Sequence, residues 1–200
     1  MLFFLGLIAS VFLVSACAGN EDVVKPNAFL TQYNLQRPTP IAVTYCSAHG
    51  CLERDKLSLT SAQWLQVTKG MRKPAIGPVQ ERMNISVAVA EYEKIAGTKS
   101  NTSNDLARTG INNANQLDCI DESLNTTSLL VMLVEENLIQ WHSLSGTFGR
   151  GEAFDWPHYA PSLQEKGSQK IFIVDSWFRN NGKPAVVLPL QVWKAGWNPA

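Results

Sequence analysis

The side chain with the most chemical potential is Cys119, in the stretch Gln116-Leu117-Asp118-Cys119-Ile120-Asp121-Glu122-Ser123. A helix should begin here. Asp118 is a good N-cap, because its short carboxylate accepts from the free N–H groups of a first turn. Asp121 and Glu122 place negative charge in that turn, as helix starts often do. Leu129, Leu130, Leu133, Val134 and Leu138 follow at helical spacing. A thiol at the positive end of a helix ionises more readily than a free one, and the thiolate is the nucleophile. The carboxylates of Asp118, Asp121 and Glu122 oppose that ionisation. The plain alternative is a small buried hydrophobe, a common fate of free cysteine.

The other cysteines narrow the choice. Cys46 and Cys51 flank a turn in Tyr45-Cys46-Ser47-Ala48-His49-Gly50-Cys51, and outside the cytoplasm such a pair reads as a disulfide. A metal site built on Cys46, His49 and Cys51 is the rival. It has three local ligands and a spacing unlike zinc knuckles, so neither metal nor cofactor is expected. Leu2 to Val14 is almost continuously apolar, too short to span a membrane, which takes about 20 residues, and it ends in small residues like a secretory signal. Val14-Ser15-Ala16-Cys17 resembles the bacterial lipobox, with Cys17 lipidated (palmitate included) and residues 1–16 removed. Ala18 stands where an aspartate would resemble an inner-membrane retention signal, which favours the outer membrane, facing the periplasm. No Lys or Arg precedes the apolar run, a departure from the usual signal. Residues 17–40 read as a lipidated N-terminus and polar, proline-bearing tether, and 41–200 as one globular domain. With Cys17 on lipid and Cys46 paired to Cys51, Cys119 is left over, either reactive or inert in the core.

Charge excludes one class of partner. The chain carries 17 basic and 17 acidic residues, which offers no basic face for nucleic acid. Gly146, Gly149 and Gly151 invite a phosphate-loop reading, but no Gly-Lys-Ser/Thr follows and no helix opens after them.

Several elements must position these groups. Ile41 to Thr44 suits a short strand. Ser58 or Thr60 can cap a helix holding Trp64, Leu65 and Val67. A second helix opens at Pro78, a good first-turn residue, and Gly97 can close it. Lys99 to Asn115 lacks any period and reads as a loop. After the Cys119 helix, which ends near Asn137, Leu138 to Leu144 suits a strand, and the three glycines a mobile or tightly turned stretch. Asp155-Trp156-Pro157-His158-Tyr159-Ala160 starts another strand. Glu165 to Ser168 forms a hairpin turn, and Lys170-Ile171-Phe172-Ile173-Val174 is the clearest strand. It runs into Asp175-Ser176-Trp177-Phe178. Asn180-Asn181-Gly182 makes a second tight turn, and Val186 to Leu188 a short strand limited by Pro189. The fold class is therefore α+β, with helices packed on one antiparallel sheet.

The order cysteine, histidine, aspartate, with the cysteine opening a helix and the others on adjacent antiparallel strands, resembles the transglutaminase-like branch of the papain-like cysteine hydrolase superfamily. The resemblance covers about Asn115 to Phe178, and the chain separations fit that branch too. It implies a transglutaminase-like core with Cys119 as nucleophile, His158 as general base and Asp175 as the group that orients the imidazole. The chain also resembles uncharacterised proteobacterial proteins sharing the Asp-Cys-Ile-Asp-Glu and Val-Asp-Ser-Trp phrases, which imply no activity. Acyl transfer needs these types: a thiolate to attack a carbonyl, a histidine to take and return the proton, and a carboxylate to fix the tautomer. An oxyanion donor is also needed. In papain-like enzymes an upstream amide often serves, so Gln116 is the candidate, with Asn113 or the Cys119 N–H as alternatives.

Each member has a bland counterpart. His158 could hydrogen-bond a loop carbonyl, and Asp175 could cap the next turn. His142 is the second histidine and His49 the third, while Asp155 is the substitute orienter. Arg150 and Trp177 either line a cleft or cover the core. The expectation is an envelope lipoprotein with a cysteine hydrolase or acyltransferase domain acting on a peptide, isopeptide or amide. The alternative is a non-enzymatic lipoprotein that binds a protein or envelope polymer.

Overall fold

A computed structural model describes residues 23–109, 115–151 and 157–199. The chain is α+β. Among the described residues, seven strands and five helices run in the order β1 (Val23–Val24), α1 (Pro26–Gln32), β2 (Val43–Ser47), β3 (Glu53–Leu57), α2 (Ser61–Thr68), α3 (Pro78–Ser100), α4 (Cys119–Glu135), β4 (His142–Arg150), β5 (His158–Glu165), β6 (Ile171–Asp175), β7 (Val186–Pro189) and α5 (Leu190–Lys194). The main sheet is five-stranded, in the order β1-β4-β5-β6-β7, with every neighbouring pair antiparallel. β2 and β3 form a separate two-stranded ribbon. The expectation of one antiparallel sheet thus holds for the main sheet and misses the ribbon.

Side-chain alternation divides the sheet into two faces. Leu163 and Val174 join a core with Ile85, Val89 and Tyr92 of α3 and Leu129, Leu130 and Leu133 of α4. Ala160, Ile173 and Leu188 pack instead with Phe178, Leu190 and Trp193 near the C-terminus. The α1 residues Phe29 and Leu30 cluster with Cys46, Cys51 and the α4 residues Leu124 and Val131. Residues 23–40, expected to belong to the tether, are instead folded onto the domain. Val23 pairs with Phe148 and Val24 with Thr147, and α1 buries an apolar face that a linker would leave in water.

Local signals placed most helix starts. Thr60 and Gln63 form the capping box that opens α2, and Pro78 opens α3. The end of α3 differs from expectation. Gly97 lies inside the helix, and Asn101, at φ 60°, closes it in the left-handed region. A Cβ on Gly97 would lie 3.1 Å from the Asn181 side chain and 3.2 Å from Ser103, so this glycine serves close packing and not chain reversal. The glycines after Leu144 are likewise not a loose stretch. Gly146 and Gly149 lie in β4, which runs His142–Arg150, and Gly151 directly follows it, while Leu138 to Trp141 precedes it. A Cβ at Gly146 would come within 2.5 Å of the Val24 carbonyl, and one at Gly149 within 2.9 Å of the Tyr159 ring. Bare backbone there lets β1 and Tyr159 close on the strand. Residues 1–22, which include Cys17 and the expected signal, lie outside the described residues, and no helix among those described is long and apolar enough to cross a membrane.

Candidate active site

Cys119 is the first residue of α4. The Asp118 carboxylate accepts from the N–H groups of Ile120 at 3.0 Å and Asp121 at 2.9 Å, and Asp121 accepts in return from the Asp118 N–H at 3.2 Å. Asp121, fully buried, has a second task. Its two oxygens take the N–H of His49 at 2.9 Å and that of Cys51 at 2.7 Å. Cys46 and Cys51 are joined in a disulfide. Between them Ala48, His49 and Gly50, with Cys51 itself, all have φ between 62° and 69°. For residues other than glycine that region costs roughly 1–2 kcal/mol each, so the run needs the bridge and the Asp121 acceptor to hold it. Asn125 adds a pair of bonds with the Cys46 backbone, at 2.8 and 2.9 Å. The disulfide ribbon is thus bolted to the helix start that carries the thiol.

The histidine and carboxylate meet by strand register. β5 and β6 pair Ser162 with Ile173. Continuing that register sets Asp175 opposite Ala160, two residues from His158 and on its face of the sheet, within diagonal reach. His158 Nε2 lies 2.7 Å from Asp175 Oδ2. An ionised carboxylate only accepts, so Nε2 carries the hydrogen and donates it. Nδ1 of His158 is buried with no partner among the described residues. The ring is held by Trp177, Phe178 and Trp193, with centroids 4.7, 5.3 and 5.5 Å away. Trp193 also donates its indole N–H to Asp175 Oδ2 at 2.8 Å.

The thiol reaches the same place from α4. Cys119 Sγ is 3.6 Å from the carbonyl oxygen of Pro157, the residue before His158, and Ser123, one turn on, donates to the Tyr159 carbonyl at 2.6 Å. Cys119 is free. Its surroundings are polar: Pro157, the Tyr159 backbone and the nearby carboxylates of Asp118 and Asp175. Exposures of 3%, 8% and 2% for Cys119, His158 and Asp175 make this a closed site. Burial, with Asp118 and Asp175 adding to it, pushes the thiol up to about 12. The opposition expected from Asp118 is present, and desolvation is the larger cause.

Other candidates fall elsewhere. The side-chain amide of Gln116 donates to the Asn104 carbonyl at 3.1 Å, and its oxygen accepts from the Leu106 N–H at 2.9 Å. It ties down the 104–106 loop and offers no free donor. His142 pairs with Glu165 at the far end of the β4–β5 ladder from His158, which is opposite Arg150. Its Nδ1 lies 2.8 Å from Glu81 and its Nε2 3.1 Å from Arg82. His49, Asp118 and Asp121 bring ligand atoms within 4.8 Å of one another. Backbone N–H groups already occupy both carboxylates, so no metal site is assigned there. Asn113 and Asp155 lie outside the described residues. Sequence reasoning missed Trp193 and the half-buried Tyr33, whose hydroxyl burial pushes up and whose neighbours include Tyr159, Asp118 and Cys119. Tyr33 lay in the presumed tether, and nothing local marks Trp193.

Behind the site sits a buried acidic cluster. Ser176, next to Asp175, donates to Glu122 at 2.5 Å. Glu93 accepts from the Gly182 N–H at 2.9 Å, and Asp105 from the Leu117 N–H at 2.7 Å. Burial pushes Asp105 up to about 7. It also raises Glu122 and Glu93, and neighbouring carboxylates add to both shifts. Unfolded carboxylates titrate near 4. These groups thus bind protons more tightly in the folded state. Their stabilising contribution is complete below about pH 4 and is lost as pH rises through about 8. Glu91 and Glu165 are shifted the other way, by Lys94 and Ser168 foremost, and their contribution is lost on further acidification. The urea midpoint should rise between pH 8 and pH 5, and Glu93→Gln should flatten that rise. A midpoint independent of pH over this range would contradict the assignment.

No protein-family model, curated protein or solved structure matches this chain.

Proposed function

We propose that the chain is a thiol acyltransferase or hydrolase with a transglutaminase-like core, in which Cys119, His158 and Asp175 form the catalytic set. The reading rests on one observation above the others. His158 gives one ring nitrogen to Asp175 and keeps the other buried and unpartnered, while the only free cysteine described turns its thiol to the carbonyl of Pro157, the residue before that histidine, and not to the ring. A carboxylate behind the ring fixes the tautomer, and the bare nitrogen has a lone pair ready for a proton. The substrate is a peptide, isopeptide or other amide. In the first half-reaction the thiol proton moves to His158 Nδ1 as sulfur bonds to the carbonyl carbon. The imidazolium then protonates the departing amine, leaving a thioester on Cys119. Water or a second amine attacks the thioester, His158 again takes and returns the proton, and the sulfur leaves as the thiol. A thiol pushed up to about 12 makes proton transfer concurrent with attack. The backbone N–H of Cys119, which the Asp118 carboxylate does not engage, is the candidate oxyanion donor. A lipid on Cys17 would hold the domain at the envelope membrane, on the periplasmic face of the outer membrane.

The closed, high-pKa thiol favours a second reading, in which the same fold binds an envelope protein or polymer without chemistry. One experiment separates them. The chain is incubated with peptides bearing glutamine and isopeptide amides, in the presence of hydroxylamine. Hydroxamate products and a transient adduct on Cys119 by intact mass are expected, both absent from Cys119→Ala. No hydroxamate, together with full biological effect of Cys119→Ser, would leave only the binding reading.

A further inference from the structure

The C-terminal helix α5 does more than cover the sheet. Trp193 is fully buried, and a buried indole N–H gains from an acceptor; that of Trp177, also beside the His158 ring, has none among the described residues. The Trp193 N–H finds Asp175 Oδ2 at 2.8 Å, the oxygen that already holds His158 Nε2 at 2.7 Å. The two donors converge on one oxygen and so fix the carboxylate in position and rotation. The indole ring also lies 5.5 Å from the His158 ring. The arrangement is clamped from β4. Arg150 stands opposite His158 in the β4–β5 ladder, its guanidinium lies 4.8 Å from the Trp193 ring centroid, and its Nη1 donates to the carbonyls of Trp193 and Trp197.

We propose that Trp193 is a positioning residue of the active site: by sharing Asp175 Oδ2 with His158, its indole N–H locks the imidazole in the tautomer that leaves Nδ1 free. The inference rests on the acyl-transfer reading for its functional meaning, but its first readout does not. In the full chain labelled with nitrogen-15 at histidine, His158 should appear as the Nε2–H tautomer, with a downfield, slowly exchanging proton. In Trp193→Phe an aromatic ring, smaller than the indole, is kept and the donor lost. That proton should then exchange about tenfold faster or more, the loss expected for a hydrogen bond to a charged group, with population of the other tautomer. Acylation of Cys119, where it occurs, should lose a similar factor in kcat with KM unchanged. A purely space-filling Trp193 would lower the melting temperature and leave the His158 signal of the folded protein unaltered, and that outcome overturns the proposal. Should Trp193→Phe fail to fold, replacement of Trp193 by benzothienylalanine keeps the bicyclic shape with sulfur in place of N–H. An unchanged His158 signal in that protein is equally fatal. A shifted signal without any hydroxamate formation would uphold the positioning role and count against the acyl-transfer reading alone.

Discussion

Replacing His158 with alanine should slow acylation of Cys119 by about 10³-fold, the middle of the range for losing a positioned general base, while the protein stays folded. The reason is specific to this site. Burial holds the thiol near 12, so almost no thiolate exists at neutral pH and attack depends on a neighbour that accepts the proton. His158 Nδ1 is the unpartnered buried base at hand. Graded changes behind it should have graded effects. Asp175→Ala removes the acceptor of both the His158 and Trp193 donors and should fall near His158→Ala. Asp175→Asn keeps an oxygen that can receive both and should cost less, on the order of tenfold. Single-turnover hydroxamate formation gives the rates. Equal rates in wild type and His158→Ala would remove the imidazole from the mechanism. A loss in Asp175→Asn as large as in Asp175→Ala would mean that the charge matters and the shared acceptor does not.

The largest expected change in stability is at Asp121. This residue looks like one more helix-start carboxylate, yet it accepts from Asp118, His49 and Cys51 at 3.2, 2.9 and 2.7 Å. Asp121→Ala strands these N–H groups in a buried place, at about 1–3 kcal/mol each. Relief of the cost of burying the carboxylate, which burial and Asp118 push up, offsets part of this. A net loss of about 3 kcal/mol, or roughly 10 °C in a chain of this size, is expected in thermal melts. Removing the bridge as Cys46→Ser with Cys51→Ser should cost about 2 kcal/mol, given the short loop. The two losses should not add, because both release the same left-handed turn. A melting point within two or three degrees of wild type for Asp121→Ala would show that the ribbon does not depend on this carboxylate.

Legibility in the sequence followed the range of the forces concerned. The helix starts at Thr60 and Asp118 were readable because a cap is made with backbone three residues away, and the one at Pro78 because proline suits a first turn. The strand at Ile171–Asp175 was readable because its β-branched and aromatic run is continuous. β1 was not, since its two residues gain strand geometry only by pairing with Thr147 and Phe148 far along the chain. The roles of Gly97, Gly146 and Gly149 were misread for a related reason. A glycine has the same local signature whether it turns a chain or admits a neighbour, and only the neighbour decides. Gln116 fits the type expected of an oxyanion donor, but a loop some ten residues away had already taken its amide.

By itself the sequence determined which residue types could meet: a leftover thiol at a helix start, and a histidine and an aspartate on successive strands. It also determined the α+β class and the pairing of Cys46 with Cys51, because capping, alternation and short loops act within a few residues. The tertiary structure alone decided that His158 takes Asp175 and not a loop carbonyl, that Trp193 shares that carboxylate, and that Asp121 is consumed by the disulfide ribbon. It alone decided that burial raises the thiol above its ordinary value. Donor–acceptor choice and desolvation depend on everything within a few ångströms, and in a buried site most of those atoms come from distant parts of the chain.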